Sequence, residues 1–167
     1  LVSHGETTHI PLRLTPDYFV SPFGGVQVGN EPPVVRFACG HALQGPTASM
    51  QSAFEARARA GHPQPLTLET EDDARYTSGT SAIPRDLPPP VGIHWSRYRG
   101  PGAVTFDRAR PAVNIEHGGG VNVPFAGSGT SVVTFSAPGD YVLHASVNDF
   151  SGEGGNGDVC CWTNVLV

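Results

Sequence analysis

Lysine is absent from this 167-residue chain: all ten basic residues are arginines. They stand singly or as spaced pairs (Arg57/Arg59, Arg97/Arg99, Arg108/Arg110) and never as a run. No stretch gathers the positive field that a phosphate backbone requires, and with a net charge of −5 nucleic acid is not an expected partner. The lysine-free, Ala/Gly/Pro/Arg-rich composition points to a GC-rich, bacterial genome. No apolar run approaches eighteen residues, so no segment of the sequence is expected to span a membrane. The only methionine is Met50, and the expectation is that a signal peptide or membrane anchor precedes Leu1.

Cysteine is also scarce. In an oxidising compartment Cys39 can pair with Cys160 or with Cys161; alternatively all three are reduced, small and buried. With no Cys-x-x-Cys and no matching His pair, a structural zinc site is not expected. The pentapeptide Gly-x-Ser-x-Gly is missing as well, which removes the nucleophile that would give His117-Gly118-Gly119-Gly120 meaning as an oxyanion loop. That tetrapeptide reads as a hairpin turn.

What the chain does contain is glycine (21) and proline (16), set among short runs of Val, Thr and aromatic residues. The mixture belongs to all-β proteins with many turns. The clearest strand is residues 141–148, where Tyr141, Leu143, Ala145 and Val147 alternate with Val142, His144, Ser146 and Asn148. A period of two held this long marks a half-buried strand of an antiparallel sheet. Further strands are expected at 10–14, 26–28, 34–38, 66–70, 93–96, 103–107, 112–116, 121–125, 130–135 and 160–167, with a long acidic loop over 71–90. Residues 47–60 are rich in helix formers, with Thr47 or Ser49 as N-cap and Gly61 and Pro63 as terminators, and predict a thin surface helix.

Trp95, Gly100-Pro101-Gly102, Val104-Thr105-Phe106, Thr134-Phe135-Ser136-Ala137-Pro138-Gly139 and Tyr141-Val142-Leu143 occur in that order. In this the chain resembles the PKD-like domains of the immunoglobulin-like superfamily over about residues 61–167. The resemblance implies an antiparallel β-sandwich with Trp95 in its core, used outside the cytoplasm for adhesion, spacing or binding. It leaves residues 1–60 as an irregular N-terminal extension with edge strands and the one short helix. The Trp-x-Phe-Gly-Asp-Gly signature of ordinary PKD repeats is missing.

Candidate sites are few. Asp149, Ser151, Glu153, Asn156 and Asp158 lie on a glycine-rich stretch and could supply oxygen ligands to calcium, although the spacing is not that of an EF-hand. Asp149, Glu153, Asn156 and Asp158 are the calcium candidates, but the expectation is that no metal is bound and that these acids face water. His94 and His144 are expected on outward sides of strands, and Tyr98, Phe150 and Trp162 near strand ends, where rings can contact a glycan or a protein. No catalytic constellation and no cofactor motif assembles. The expectation is a non-catalytic, exported protein-binding module. It would be an extrinsic periplasmic subunit or accessory domain of a membrane-associated assembly, for example of photosynthetic reaction-centre type, with other subunits as partners. A carbohydrate-binding or adhesion module is the alternative.

Overall fold

The computed structural model describes residues 2–3, 6–7, 31–38, 40–51, 53–74, 89–120, 123–150 and 162–167. Eleven strands and one helical turn occur among them: β1 (Val2–Ser3), β2 (Glu6–Thr7), β3 (Val34–Phe37), β4 (Leu43–Gln44), α1 (Ala48–Gln51), β5 (Gln64–Asp72), β6 (Val91–Arg99), β7 (Val104–Phe106), β8 (Val113–His117), β9 (Phe125–Phe135), β10 (Val142–Asp149) and β11 (Trp162–Leu166). The described chain is thus mostly antiparallel β-sheet. No helix among the described residues is long and apolar enough to cross a membrane.

Beyond the small β1–β2 pair, two sheets carry the fold. One has the order β11-β10-β6; the other has the order β4-β3-β5-β9-β7, with β8 also paired to β9. Period-two sequences form both. Leu66, Leu68, Thr70 and Asp72 of β5 point inward, as do Leu143, Ala145, Val147 and Asp149 of β10. These rows meet in one core with Val35, Phe37, Ile93, Trp95, Phe125, Val133 and Val165. The two sheets therefore share a single apolar interior, which makes the arrangement sandwich-like. Trp95 is the largest fully buried side chain, and its ring stacks on Phe106 at 6.4 Å between centroids.

Strand β9 organises the larger sheet. It pairs with β5 over nine consecutive positions and gives its other edge to β8 and then β7. Its inward positions between Phe125 and Val133 are small: Gly127, Gly129 and Ser131. At Gly127 a Cβ would lie 2.5 Å from the Asn114 carbonyl oxygen of β8 and 2.6 Å from the Phe125 ring. Gly127→Val is therefore expected to displace β8 and to destabilise the fold by about 1–3 kcal/mol, as measured by urea unfolding.

Three expectations are corrected. The strands read at 121–125 and 130–135 are not two strands, because β9 runs unbroken from Phe125 to Phe135. Its two glycines and Ser128 look like a turn in sequence, yet nine ladder pairs with β5 hold them extended. The helix read over 47–60 is a single turn, Ala48–Gln51. Residues 53–59 run on without turn or bend. Phe54 is the reason: its side chain is buried against Phe37 (5.7 Å) and His41 (5.1 Å), and its N–H donates to the Leu166 carbonyl at 2.8 Å. An alanine-faced helix buries too little apolar surface to compete. The strand read at 66–70 is longer, reaching from Gln64 to Asp72. The expected strands at 10–14 and 26–28, and residues 75–88 of the expected acidic loop, lie outside the described residues.

Strands β3 and β4, which precede residue 61, belong to the larger sheet. The segment after β4 also ties that sheet to β11. The buried Thr163 hydroxyl donates to the Pro33 carbonyl and accepts the Gly45 N–H at 2.9 Å, while Asn164 Nδ2 donates to the Pro46 carbonyl at 2.8 Å.

Candidate functional site: a groove beneath an extended ribbon

At one end of the molecule lie the start of β5, the end of β9, the start of β10 and the C-terminal Val167. Residues 53–60 cross this end as a ribbon. Phe54 anchors it to the three-stranded sheet through Leu166, and the Gly61 N–H anchors it to the larger sheet through the Phe135 carbonyl at 2.8 Å. Between the anchors Ala56, Ala58 and Ala60 line a groove of about 260 Å³. The opposing walls are Leu66, Phe135, Tyr141, Leu143 and Val167, with Gln64 and Asp140 as polar members. Glu55, Arg57 and Arg59 alternate with the alanines and are exposed. The ribbon thus has the two-sided character of a strand without a strand's hydrogen bonds.

The floor is held by Tyr141. Its hydroxyl donates to the Ala137 carbonyl at 2.9 Å and its ring packs on Phe135 at 4.7 Å. Gly100 and Gly102 are small because of that ring: a Cβ would sit 2.1 Å from Tyr141 Cδ1 at Gly100, and 2.6 Å from the Tyr141 hydroxyl at Gly102. Tyr141→Phe keeps the ring and loses the hydrogen bond. The expected cost is about 1 kcal/mol by chemical denaturation.

The opposite end is acidic. Asp72 closes β5 and Asp149 closes β10, one from each sheet, and both are buried, at 8% and 1% exposure. Asp72 Oδ2 accepts the Ala74 N–H at 2.8 Å, whereas Oδ1 meets no donor. Burial first, and the Asp149 charge second, push the Asp72 carboxyl up to about 8, against the lowering effect of the Ala74 N–H. An adjoining depression of about 410 Å³ is lined by Glu31, Glu71, Asp72, Asp73, His117 and Phe125. Glu71 is already engaged by Arg36 at 2.5 Å. Among the described residues no group of three His, Cys, Asp or Glu side chains could hold a metal ion.

Of the calcium candidates, Asp149 is buried at the end of β10, close enough to Asp72 for its charge to act on that carboxyl. Glu153, Asn156 and Asp158 lie outside the described residues, as do Ser151, Cys39, Cys160 and Cys161. Asp72 was legible as an inward residue, since it continues the Leu66, Leu68, Thr70 alternation, but an acid at an apolar position reads first as loop. The His117-Gly118-Gly119-Gly120 segment leaves β8 toward β9, with Gly118 and Gly119 at φ 72° and 91°. His94 is exposed, while His144 is half-buried with Nε2 2.9 Å from Asn164 Oδ1. The three candidate rings do not form one platform. Tyr98 is 73% exposed near one end of β6, whereas Trp162 and Phe150 are half-buried at the other. There Trp162 and Gly92 both register with Asn148, and the Phe150 ring lies against Gly92.

No family model, curated protein or solved structure matches the chain, so its similarity to known proteins adds nothing to this geometry.

Proposed function

We propose that this chain is a non-catalytic protein-binding module with an immunoglobulin-like, PKD-like β-sandwich. In this reading it works outside the bacterial cytoplasm, in the periplasm or at the cell surface. It is an extrinsic subunit or accessory domain of a larger membrane-associated assembly, of which photosynthetic reaction centres are one type. The finer fold reading draws support from the strand order. Taking β3, β5, β6, β7/β8, β9, β10 and β11 as strands A to G gives A-B-E-D beside C-F-G. A fully buried Trp95 on strand C and the Tyr141 hydroxyl bonded to the Ala137 carbonyl at the E–F corner are further features of that architecture.

The observation that carries the binding role is the ribbon over residues 53–60, anchored at both ends and joined to no strand between them among the described residues. A chain held in that form presents a surface for another polypeptide. The exported, bacterial setting rests on composition: no lysine, abundant Ala, Gly, Pro and Arg, and many turns. The test is recovery of the native protein after gentle solubilisation of membranes, with its companions identified by mass. Co-migration with a defined set of other polypeptides is expected; migration as a lone chain would remove the proposal.

A glycan-binding role is the second reading, favoured by Tyr98 at 73% exposure on β6. It requires retention on a polysaccharide panel that is lost in Tyr98→Ala.

A further inference from the structure

The geometry points to an extended peptide strand of a partner protein, bearing acidic residues and one large apolar side chain, as the occupant of the groove beneath residues 53–60. This inference rests on the protein-binding reading and names the chemistry of what is bound.

The backbone supplies the first reason. Among the described residues no main-chain N–H from residues 55–60 donates a hydrogen bond, and of their carbonyls only that of Arg59 accepts one, from His62 at 3.1 Å. Phe54 on one side and Gly61 on the other are bonded into separate sheets. An extended segment fixed at both ends, with its donors and all but one of its acceptors unused among the described residues, is an open edge on which another strand can add. A lipid tail or a small apolar molecule would leave those groups as they are.

The side chains supply the second. Alternation sends Ala56, Ala58 and Ala60 into the groove, and their methyls are small enough to leave about 260 Å³ open against Leu66, Leu143, Phe135 and Val167. A cavity of about 150 Å³ already takes a benzene ring, so a phenylalanine or leucine side chain fits. Larger residues at the alanine positions would have filled this space from within the chain.

Charge decides which peptide. Arg57 and Arg59 are exposed and enter no ion pair among the described residues; they outnumber Glu55 on the same row, and Asp140 lies across the groove on the opposing wall. Two residues apart on an extended chain they stand about 7 Å from each other, the spacing of alternate residues on a facing strand. Acidic residues at alternate positions of the partner meet them, while the intervening apolar residue turns into the groove.

The test uses the whole chain, labelled with ¹⁵N, and two capped heptapeptides: Asp-Leu-Asp-Phe-Asp-Ala-Asp and the same sequence with lysine for each aspartate. The acidic peptide is expected to shift the amides of residues 55–60, Leu66, Leu143 and Val167, and to slow hydrogen exchange of the ribbon amides about tenfold at saturation. The lysine peptide is expected to bind at least about tenfold more weakly. The double variant Arg57→Glu/Arg59→Glu should reverse that preference. Ala58→Trp should abolish binding while the core amides keep their shifts, since Ala58 is exposed and its replacement burdens no packed residue.

Absence of any groove shift at millimolar acidic peptide would overturn the inference. So would equal binding of both peptides, or groove shifts produced by toluene and by neither peptide. A pull-down separates this from the broader reading. If Ala58→Trp recovers the same companions as the parent protein, the groove assignment fails and the protein-binding role stands. If the parent protein recovers none, the role itself fails.

Discussion

Replacing Asp72 by Asn is expected to stabilise the folded protein at pH 8 and to flatten its response to pH between about 4 and 8. The Asp72 carboxyl is raised from 3.8 to about 8, by burial and then by the neighbouring Asp149 charge. A native state that keeps a proton the unfolded chain releases is favoured at low pH. Stabilisation is complete below pH 3.8, declines as pH rises, and is gone above about 8. At about 1.4 kcal/mol per pH unit the loss across that window has an upper bound of roughly 6 kcal/mol. Asparagine keeps an oxygen for the Ala74 N–H and puts no second charge beside Asp149. The variant should recover at least about 2 kcal/mol at pH 8. Urea unfolding at pH 5, 7 and 8 checks this; parallel pH profiles for the two proteins would refute it.

Asp107 works in the opposite direction and in another window. The Val132 N–H first, with the Arg108 N–H and the Ser131 hydroxyl, holds its carboxyl below the usual range. Its contribution is present above pH 3.8 and is lost as the pH falls through the lowered value. The acid limb of the stability curve therefore reports on Asp107 and the neutral limb on Asp72, which lets the two be told apart in one titration series.

The second large effect is expected at Trp95. This ring is 1% exposed, stacks on Phe106, and belongs to the one apolar core that the two sheets share. Trp95→Ala should cost about 3–5 kcal/mol, a large share of the roughly 5–15 kcal/mol that holds a domain of this size together. Trp95→Phe should cost markedly less. Part of the reason is that the indole N–H is buried without an acceptor among the described residues, and phenylalanine removes that unmet donor along with the second ring. Chemical denaturation of both variants measures the difference. If Phe were as costly as Ala, the tightness of the cavity and not the indole N–H would govern this position.

Where local and global signals agreed, the sequence was readable. Residues 142–149 alternate strictly and lie between two strands, so each inward position is apolar until Asp149 at the end. At 53–60 they disagreed. Alanine, glutamate and arginine are good helix formers, and that propensity hid a period-two pattern with Phe54, Ala56, Ala58 and Ala60 on one side. At 125–135 glycine and serine suggested a turn, and only the partner strand on each side makes the segment continuous.

By itself the amino-acid sequence determined that this is a mostly antiparallel β protein and that the Leu143, Ala145, Val147 row is interior. Those are consequences of residue type and of a period of two, which act within a few residues. Only the tertiary structure decided that Asp72 and Asp149 share one buried end, that β9 is a single strand, and that residues 53–60 stand as a ribbon over a groove. These depend on residues as far apart as Phe54 and Leu166, and hydrogen bonds and desolvation over such separations leave no periodic trace in the chain.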